Sequence, residues 1–510
     1  MMLFHEYLLE ASHDDQVILK TMDGAYTRRE LNDFSDQAAR QLTAQGFVTG
    51  DCIVLLMQNG LDALVMQLAC SKAGCVFVPV SPQEPAVRIN RIIEAVGPSL
   101  VVTAGDNTFQ TTVTQGKMIS GALVLEETAA AAAASGAVQV NENNLIYIIY
   151  SSGTTGNPKG ICMSHRAVVS FFRASVAHCG LKAMDNLGTI SPLQFDFSIL
   201  DLGVAYGSGA CLTIVPQALA YKPAKLIGFL KDKGVTQFDS VPSVWSMVIL
   251  YTPHLLEEIG FLKAIMFAGE KFPTDNLRLI QEKSPTLKVI NCFGQSESIA
   301  CAFHDLPNPL PEDTQELSFG PGFPGNTFYI VDEASAQITE PRTIGELWVS
   351  NQCLFDGYWK NPQLTAERLV KDPFRPETDH MLFKTGDLVY KDEDGNFYFA
   401  GRKDNQVKVK GNRVELDEID QCLEKHENVR EALTVFYDDG TSKKLIAFVS
   451  GKADIVATGE EIRRHCRLNL PSYMVPEEVI VRDRLPTTIN GKIDKKQLLA
   501  EHEQNQKVLS

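Results

Sequence analysis

Residues Ser151 to Gly160 read Ser-Ser-Gly-Thr-Thr-Gly-Asn-Pro-Lys-Gly and follow directly on an apolar run, Leu145 to Tyr150. Gly153 and Gly156 permit close backbone approach and unusual backbone angles. The hydroxyls of Ser151, Ser152, Thr154 and Thr155, with exposed N–H groups, can donate to phosphate oxygens, and Lys159 adds positive charge. The chemistry this segment suits is the holding of a polyphosphate. Its spacing is Gly-x-x-Gly-x-x-Lys, which does not satisfy the Walker pattern, so an ordinary P-loop nucleotidase is not indicated. A Gly/Ser/Thr cluster after a strand is commonly only a turn. The density of hydroxyls and the closing Pro-Lys-Gly favour a phosphate cradle instead.

Further groups capable of chemistry are spread along the chain. Asp196 lies in QFDFS, Glu297 in NCFGQSES, Asp387 in FKTGDL, Arg402 and Asp404 in GRKDNQVKVKGNRVEL, and Lys492 in NGKIDKK. Alone, each has an ordinary reading: Asp196 caps a helix, Asp387 sits in a turn, Arg402 is a solvated charge, and Asn-Gly-Lys is a turn with an exposed lysine. With KAGCVFVPV (Lys72 to Val80), GELWVS (Gly345 to Ser350) and LPSYMVP (Leu470 to Pro476), they form an ordered series across nearly the whole chain. That series closely resembles the adenylate-forming superfamily: acyl-CoA synthetases, luciferases, and the amino-acid adenylation domains of nonribosomal peptide synthesis.

The resemblance implies a role for each segment. Ser151, Ser152, Gly153, Thr154, Thr155, Gly156 and Lys159 would bind ATP, together with Asn291, Cys292, Phe293, Gly294, Gln295 and Ser296; the ring of Phe293 would lie against adenine. The commoner family form is Tyr-Gly-Pro-Thr-Glu, and this sequence differs at Phe293, Gln295 and Ser296 while keeping an aromatic ring, a hydroxyl and the carboxylate. Glu297 would help hold Mg2+, a hard cation that prefers oxygen ligands. Asp387 would accept hydrogen bonds from the two ribose hydroxyls, and Arg402 would assist near the ribose or phosphates. Lys492 would be the principal catalytic residue. Attack of a carboxylate on the α-phosphorus joins two anions, and a movable ammonium stabilises the charge that builds there. Asp404 would be the hinge about which a small C-terminal domain rotates between two half-reactions. Lys492 enters in the first, and the face containing Gly411 admits a thiol in the second.

In the amino-acid-activating branch, the aspartate at Asp196 pairs with the substrate's α-ammonium, a strong contact when sheltered from water. The same branch implies a pocket from Phe197, Leu200, Asp239, Met266, Ala268, Cys292, Ala300 and Cys301. Asp239 is the unusual member, because a buried carboxylate without a partner is costly. Either the substrate carries a second donor or cation, or Asp239 turns away or is protonated. Proline, a basic amino acid such as ornithine or lysine, and D-alanine all stay open. The chain ends at HEQNQKVLS soon after NGKIDKK, so the expectation is a freestanding ligase that loads the phosphopantetheine thiol of a separate carrier protein. An acyl- or aryl-CoA ligase using coenzyme A, and a catalytically silent nucleotide-binding relative, are the alternatives; intact Lys492, Glu297 and Asp387 speak against the latter.

These groups must be positioned by a scaffold. Short β-rich runs such as Ile53 to Met57 alternate with amphipathic stretches such as Leu31 to Leu42, which predicts an α/β architecture. The texture becomes charged after Gly401. We therefore expect a large N-terminal domain of β-sheets packed with helices, residues 1–402, and a small mobile α+β domain, residues 403–510, with the hinge near 403–404. At 510 residues the chain exceeds one ordinary core. A formal charge of -16 argues against phosphate-neutralising contact with nucleic acid. The eleven cysteines form no CxxC pair and no Cys/His cluster, so reduced cytoplasmic thiols are expected. No signal peptide and no membrane-length apolar stretch are visible. Ala129 to Ala134 reads as a surface helix end or loop.

Overall fold

The computed structural model describes residues 2–105, 113, 115–119, 121–125, 139–153, 158–438, 443–452, 458–487 and 493–509. The alanine run Ala129 to Ala134 lies outside the described residues. The chain divides into two compact units. One contains Met1–Pro82, Val96–Tyr150 and Gly160–Lys403; the other contains Gln83–Ala95, Ser151–Lys159 and Asp404–Ser510.

In the first unit, an eight-stranded sheet runs in the spatial order Ala302–Leu306, Lys288–Phe293, Ala264–Phe267, Gln237–Ser240, Asn186–Thr189, Cys211–Ile214, Val17–Lys20 and Ala25–Thr27. The six inner strands pair in parallel and the two edge strands are antiparallel. Asn186–Thr189, Gln237–Ser240 and Ala264–Phe267 are buried at every position, as strands of a parallel sheet covered on both faces must be. Strand order reverses between Asn186–Thr189 and Gln237–Ser240, which makes the crevice at their carboxyl ends the place where such sheets take ligands. The helix Asp196–Gly207 is buried along most of its length. It packs so closely that a Cβ at Gly203 would stand 1.9 Å from Phe172 Cδ1.

A second eight-stranded sheet contains Cys52–Leu56 and Leu145–Ser151, the strands expected at Ile53 to Met57 and Leu145 to Tyr150. The amphipathic stretch Leu31 to Leu42 falls within the helix Arg28–Ala44, which opens on a Thr27/Glu30 capping box. A six-stranded sheet, antiparallel at each of its recorded pairings, joins Gly345–Ser350 to Met381–Lys391 and Met381–Lys391 to Phe397–Arg402. The mixed α/β plan with a smaller C-terminal domain agrees with expectation.

The second unit contains the hairpin Gln406–Val409/Asn412–Glu415 and a three-stranded sheet, Val429–Asp438, Lys443–Gly451 and Glu478–Arg482. Lys410 and Gly411 both have positive φ, 49° and 78°, as a two-residue type I′ turn requires. The helices Leu416–Glu424 and Gly459–Asn469 bury one face each around Leu423, Cys466 and Leu470.

Candidate functional site

Four neighbouring strands deliver their carboxyl-terminal residues to one edge of the first sheet. Asn186–Thr189 leads to Asp196, Phe197 and Leu200; Gln237–Ser240 carries Asp239; Ala264–Phe267 carries Met266 and leads to Ala268; Lys288–Phe293 carries Asn291, Cys292 and Phe293 and leads to Gly294. Asp239 stands directly opposite Met266, and Asn291 opposite Phe267. Sheet register, not sequence proximity, therefore assembles the expected substrate-lining residues.

The segment after Phe293 is tightly constrained. A Cβ on Gly294 would lie 2.3 Å from Ala300 Cα, so only glycine allows Ala300 and Cys301 to fold back against it. Cys301 N–H donates to the Phe293 carbonyl at 2.8 Å. The Asn326 side-chain amide donates to the Cys301 carbonyl. Asn291 Nδ2 donates to the Ser318 carbonyl at 2.9 Å. One face of the Phe293 ring is covered by Phe319, with centroids 4.0 Å apart and planes 13° from parallel. Phe319 was not foreseen from sequence. Ser296 is partly buried.

Asp387 is 4% exposed. It was expected in a turn; it lies instead within the strand Met381–Lys391, directly across from Arg402. Gly386, at φ 76°, supplies the turn-like backbone inside that strand. Arg402 Nη1 donates to Asp387 Oδ1 at 2.6 Å and to the Thr385 carbonyl at 3.0 Å. Gln295 Nε2 donates to Asp387 Oδ2. The two carboxylate oxygens are thus held by two oriented donors, and an ionised carboxylate has lone pairs left for further hydrogen bonds.

Glu297 is fully buried, and its Oε1 accepts a 2.7 Å hydrogen bond from the Tyr358 hydroxyl. Sequence reasoning missed Tyr358, which lies 61 residues away, because only the folded chain brings the two together. Among the described residues no cluster of His, Cys, Asp or Glu could by itself hold a metal ion. A single carboxylate fits a Mg2+ whose other ligands come from phosphate and water oxygens.

Asp196 is the first residue of its helix; the N-cap is Phe195, which makes no side-chain cap bond. The cap reading of Asp196 is therefore replaced by a position one step inside the helix, where its charge, after burial, helps raise the pKa of the Tyr147 hydroxyl. Phe197 is partly buried against the main core and Leu200 is fully buried. Cys292, Ala300 and Cys301 are buried, and burial pushes the Cys292 thiol far above its usual range.

Asp239 has a partner of its own. Gln237 Nε2 lies 3.0 and 3.2 Å from its two oxygens. Asp201, on the helix Asp196–Gly207, is fully buried. Burial raises both carboxyls, Asp239 to about 7 and Asp201 further still because of the neighbouring Asp239 charge. Folding thus strengthens proton binding, so the stability it contributes is fully present below the usual carboxylate range and is lost as pH rises through about 7. Asp239→Asn is accordingly expected to raise the melting temperature on the order of a few degrees at pH 8, and less at pH 5. Thermal melts at the two pH values check this, and an equal or reversed gain would contradict it.

The remaining expected residues fall elsewhere. Ser151, Ser152, Gly153, Lys159 and Asp404 belong to the second unit. Thr154, Thr155, Gly156 and Lys492 lie outside the described residues. Lys403, the last residue of the first unit, is anchored there. Its N–H donates to the Gly386 carbonyl at 2.9 Å, and its ammonium lies 3.2 Å from Glu346 Oε2. No helix among the described residues is long and apolar enough to cross a membrane.

Known proteins share this arrangement. The model of the AMP-binding enzyme family matches residues 9–359, and that of the AMP-binding enzyme C-terminal domain matches residues 418–492. Tyrocidine synthase 2 of Brevibacillus parabrevis is 32% identical over 481 residues, 93% of this chain and 13% of that protein. Tyrocidine synthase 1 of the same organism is 31% identical over 497 residues, 95% of this chain and 43% of that protein. The chain spans less than half the length of curated relatives such as these. The crystal structure of IdnL1 superposes with a TM-score of 0.86 at 34% identity, covering 95% of this chain and 99% of that one. The amide bond synthetase McbA from Marinactinospora thermotolerans shares the fold, with a TM-score of 0.83 at 20% identity over 98% of this chain and 99% of that one. This chain belongs to the AMP-binding enzyme family.

Proposed function

We propose that the chain activates an amino acid as its aminoacyl-AMP, releasing pyrophosphate, and passes the aminoacyl group to the phosphopantetheine thiol of a separate carrier protein. The observation that carries the amino-acid reading is Asp196. It opens the helix that follows Asn186–Thr189, the strand beside which the sheet order reverses, and is not the cap of that helix. A carboxylate there complements an ammonium, and surrounding apolar side chains strengthen such a pair by excluding water.

On this reading Asp387, oriented by Arg402 and Gln295, accepts the ribose hydroxyls, while the Phe293 ring and the 291–296 segment border the adenine. Glu297 holds Mg2+, which would neutralise phosphate charge when bound. The glycine-hydroxyl loop grips the triphosphate, Lys492 stabilises charge at the α-phosphorus, and backbone rotation at Asp404 separates the two half-reactions.

The deciding measurement is amino-acid-dependent exchange of labelled pyrophosphate into ATP, over L-proline, L-ornithine, L-lysine and both alanine enantiomers. Exchange with one of these is expected, whereas exchange only with fatty or aryl acids would overturn the substrate class. Asp196→Asn should raise the amino-acid KM about 10- to 100-fold, the size of one charged hydrogen bond, with the ATP KM little changed. Transfer to a phosphopantetheinylated carrier protein in preference to coenzyme A decides the acceptor.

A further inference from the structure

The second unit draws together segments far apart in sequence, and one buried guanidinium lies at their junction. Arg88, on the helix Ala86–Val96, is 4% exposed. Its Nη1 donates to Glu418 Oε1 at 2.5 Å, and its Nε lies 3.5 Å from Glu84 Oε2. Glu418, on the helix Leu416–Glu424, is 2% exposed. Burial raises the Glu84 carboxyl above its usual range, against the opposing pull of Arg88. The buried Tyr473 phenol lies beside them. In the same unit, Ser152 Oγ donates to the carbonyl of Arg413 at 2.9 Å, on the hairpin that turns at Gly411.

A serine hydroxyl has a single proton to donate. While Ser152 gives it to Arg413, it cannot give it to a phosphate oxygen. Gripping the triphosphate is needed for adenylation; once pyrophosphate has left, the transfer step no longer requires it.

We propose that Arg88 is a positioning residue, whose ion pair with Glu418 holds the arrangement in which Ser152 is engaged by Arg413, and so favours thioester transfer over adenylation. The inference rests on the two-step reading above. A merely structural pair would lower both half-reactions together, because removing one partner leaves an uncompensated buried charge. A positioning pair changes their ratio.

The test uses the full chain, an amino acid that supports exchange, and pantetheine as the thiol probe. In Arg88→Met and in Glu418→Gln, the ratio of thioester formation to pyrophosphate exchange should fall at least about tenfold, and the ATP KM in exchange should fall as Ser152 is released. The swap Arg88→Glu with Glu418→Arg should return the ratio to within about threefold of the starting protein. Unchanged ratios, a parallel fall of both rates, or failure of a folded swap variant to restore the ratio would overturn the proposal. If pantetheine accepts no acyl group from the unaltered protein, the ATP KM decides. If the single variants do not fold, Arg88→Lys, which keeps the charge but loses the guanidinium fork, should shift the ratio in the same direction, and no shift would overturn it. Absence of exchange in the unaltered protein would instead remove the amino-acid reading.

Discussion

Asp387→Ala is expected to reduce pyrophosphate exchange by about 100-fold or more, through a raised ATP KM and a lowered kcat together, while the amino-acid KM changes little. Two effects add. A carboxylate that accepts two hydroxyl hydrogen bonds contributes on the order of 1.5–3 kcal/mol for each charged bond, so losing both is enough for this fall. Removing it also takes the carboxylate partner from Arg402, whose side chain is only 12% exposed and pairs with Asp387 at 2.6 Å, and takes the Asp387 acceptor from Gln295. Breaking a pair of this depth costs roughly 3–5 kcal/mol of stability, so a drop in melting temperature should accompany the kinetic loss. Asp387→Asn keeps the shape and one acceptor, and should lie between. An Asp387→Ala protein that melts lower but keeps its ATP KM would assign Asp387 to structure alone.

Lys492→Ala is expected to slow adenylation by about 10^2- to 10^3-fold, the usual effect of removing one group that stabilises transition-state charge. The transfer step, begun from separately supplied aminoacyl-AMP and followed as thioester release, should stay within a few-fold of the unaltered protein, because no anion attacks phosphorus in that step. Comparing the two half-reactions is the measurement. Equal loss in both would place Lys492 in substrate binding or structure, and no loss in either would remove it from the site.

Much of this molecule is legible without coordinates. The strands Cys52–Leu56 and Leu145–Ser151 and the helix Arg28–Ala44 come from local pattern, since hydrophobic period and a Thr27/Glu30 cap act over only a few residues. The hydroxyl-glycine loop announces itself by type and spacing, whereas Asp196, Glu297 and Asp387 gain their expected roles only through the resemblance of the whole motif series. Partnership does not. Asp387 reads as a turn residue from Thr-Gly-Asp-Leu, yet pairing with Phe397–Arg402 draws it into a strand and sets Arg402 opposite it. Asp239 reads as an unpartnered acid, yet the strand places Gln237 on the same face, and its side-chain amide reaches both carboxylate oxygens.

The amino-acid order by itself determined which chemical groups the protein possesses and which short segments become strand or helix, because those preferences are settled between near neighbours. Only the tertiary structure decided that Phe319 covers Phe293, that Tyr358 reaches Glu297 across 61 residues, and that Arg88 meets Glu418 across 330. Such contacts depend on strand order and register, which are chosen by how whole buried faces pack together, and no local stretch of sequence contains that choice.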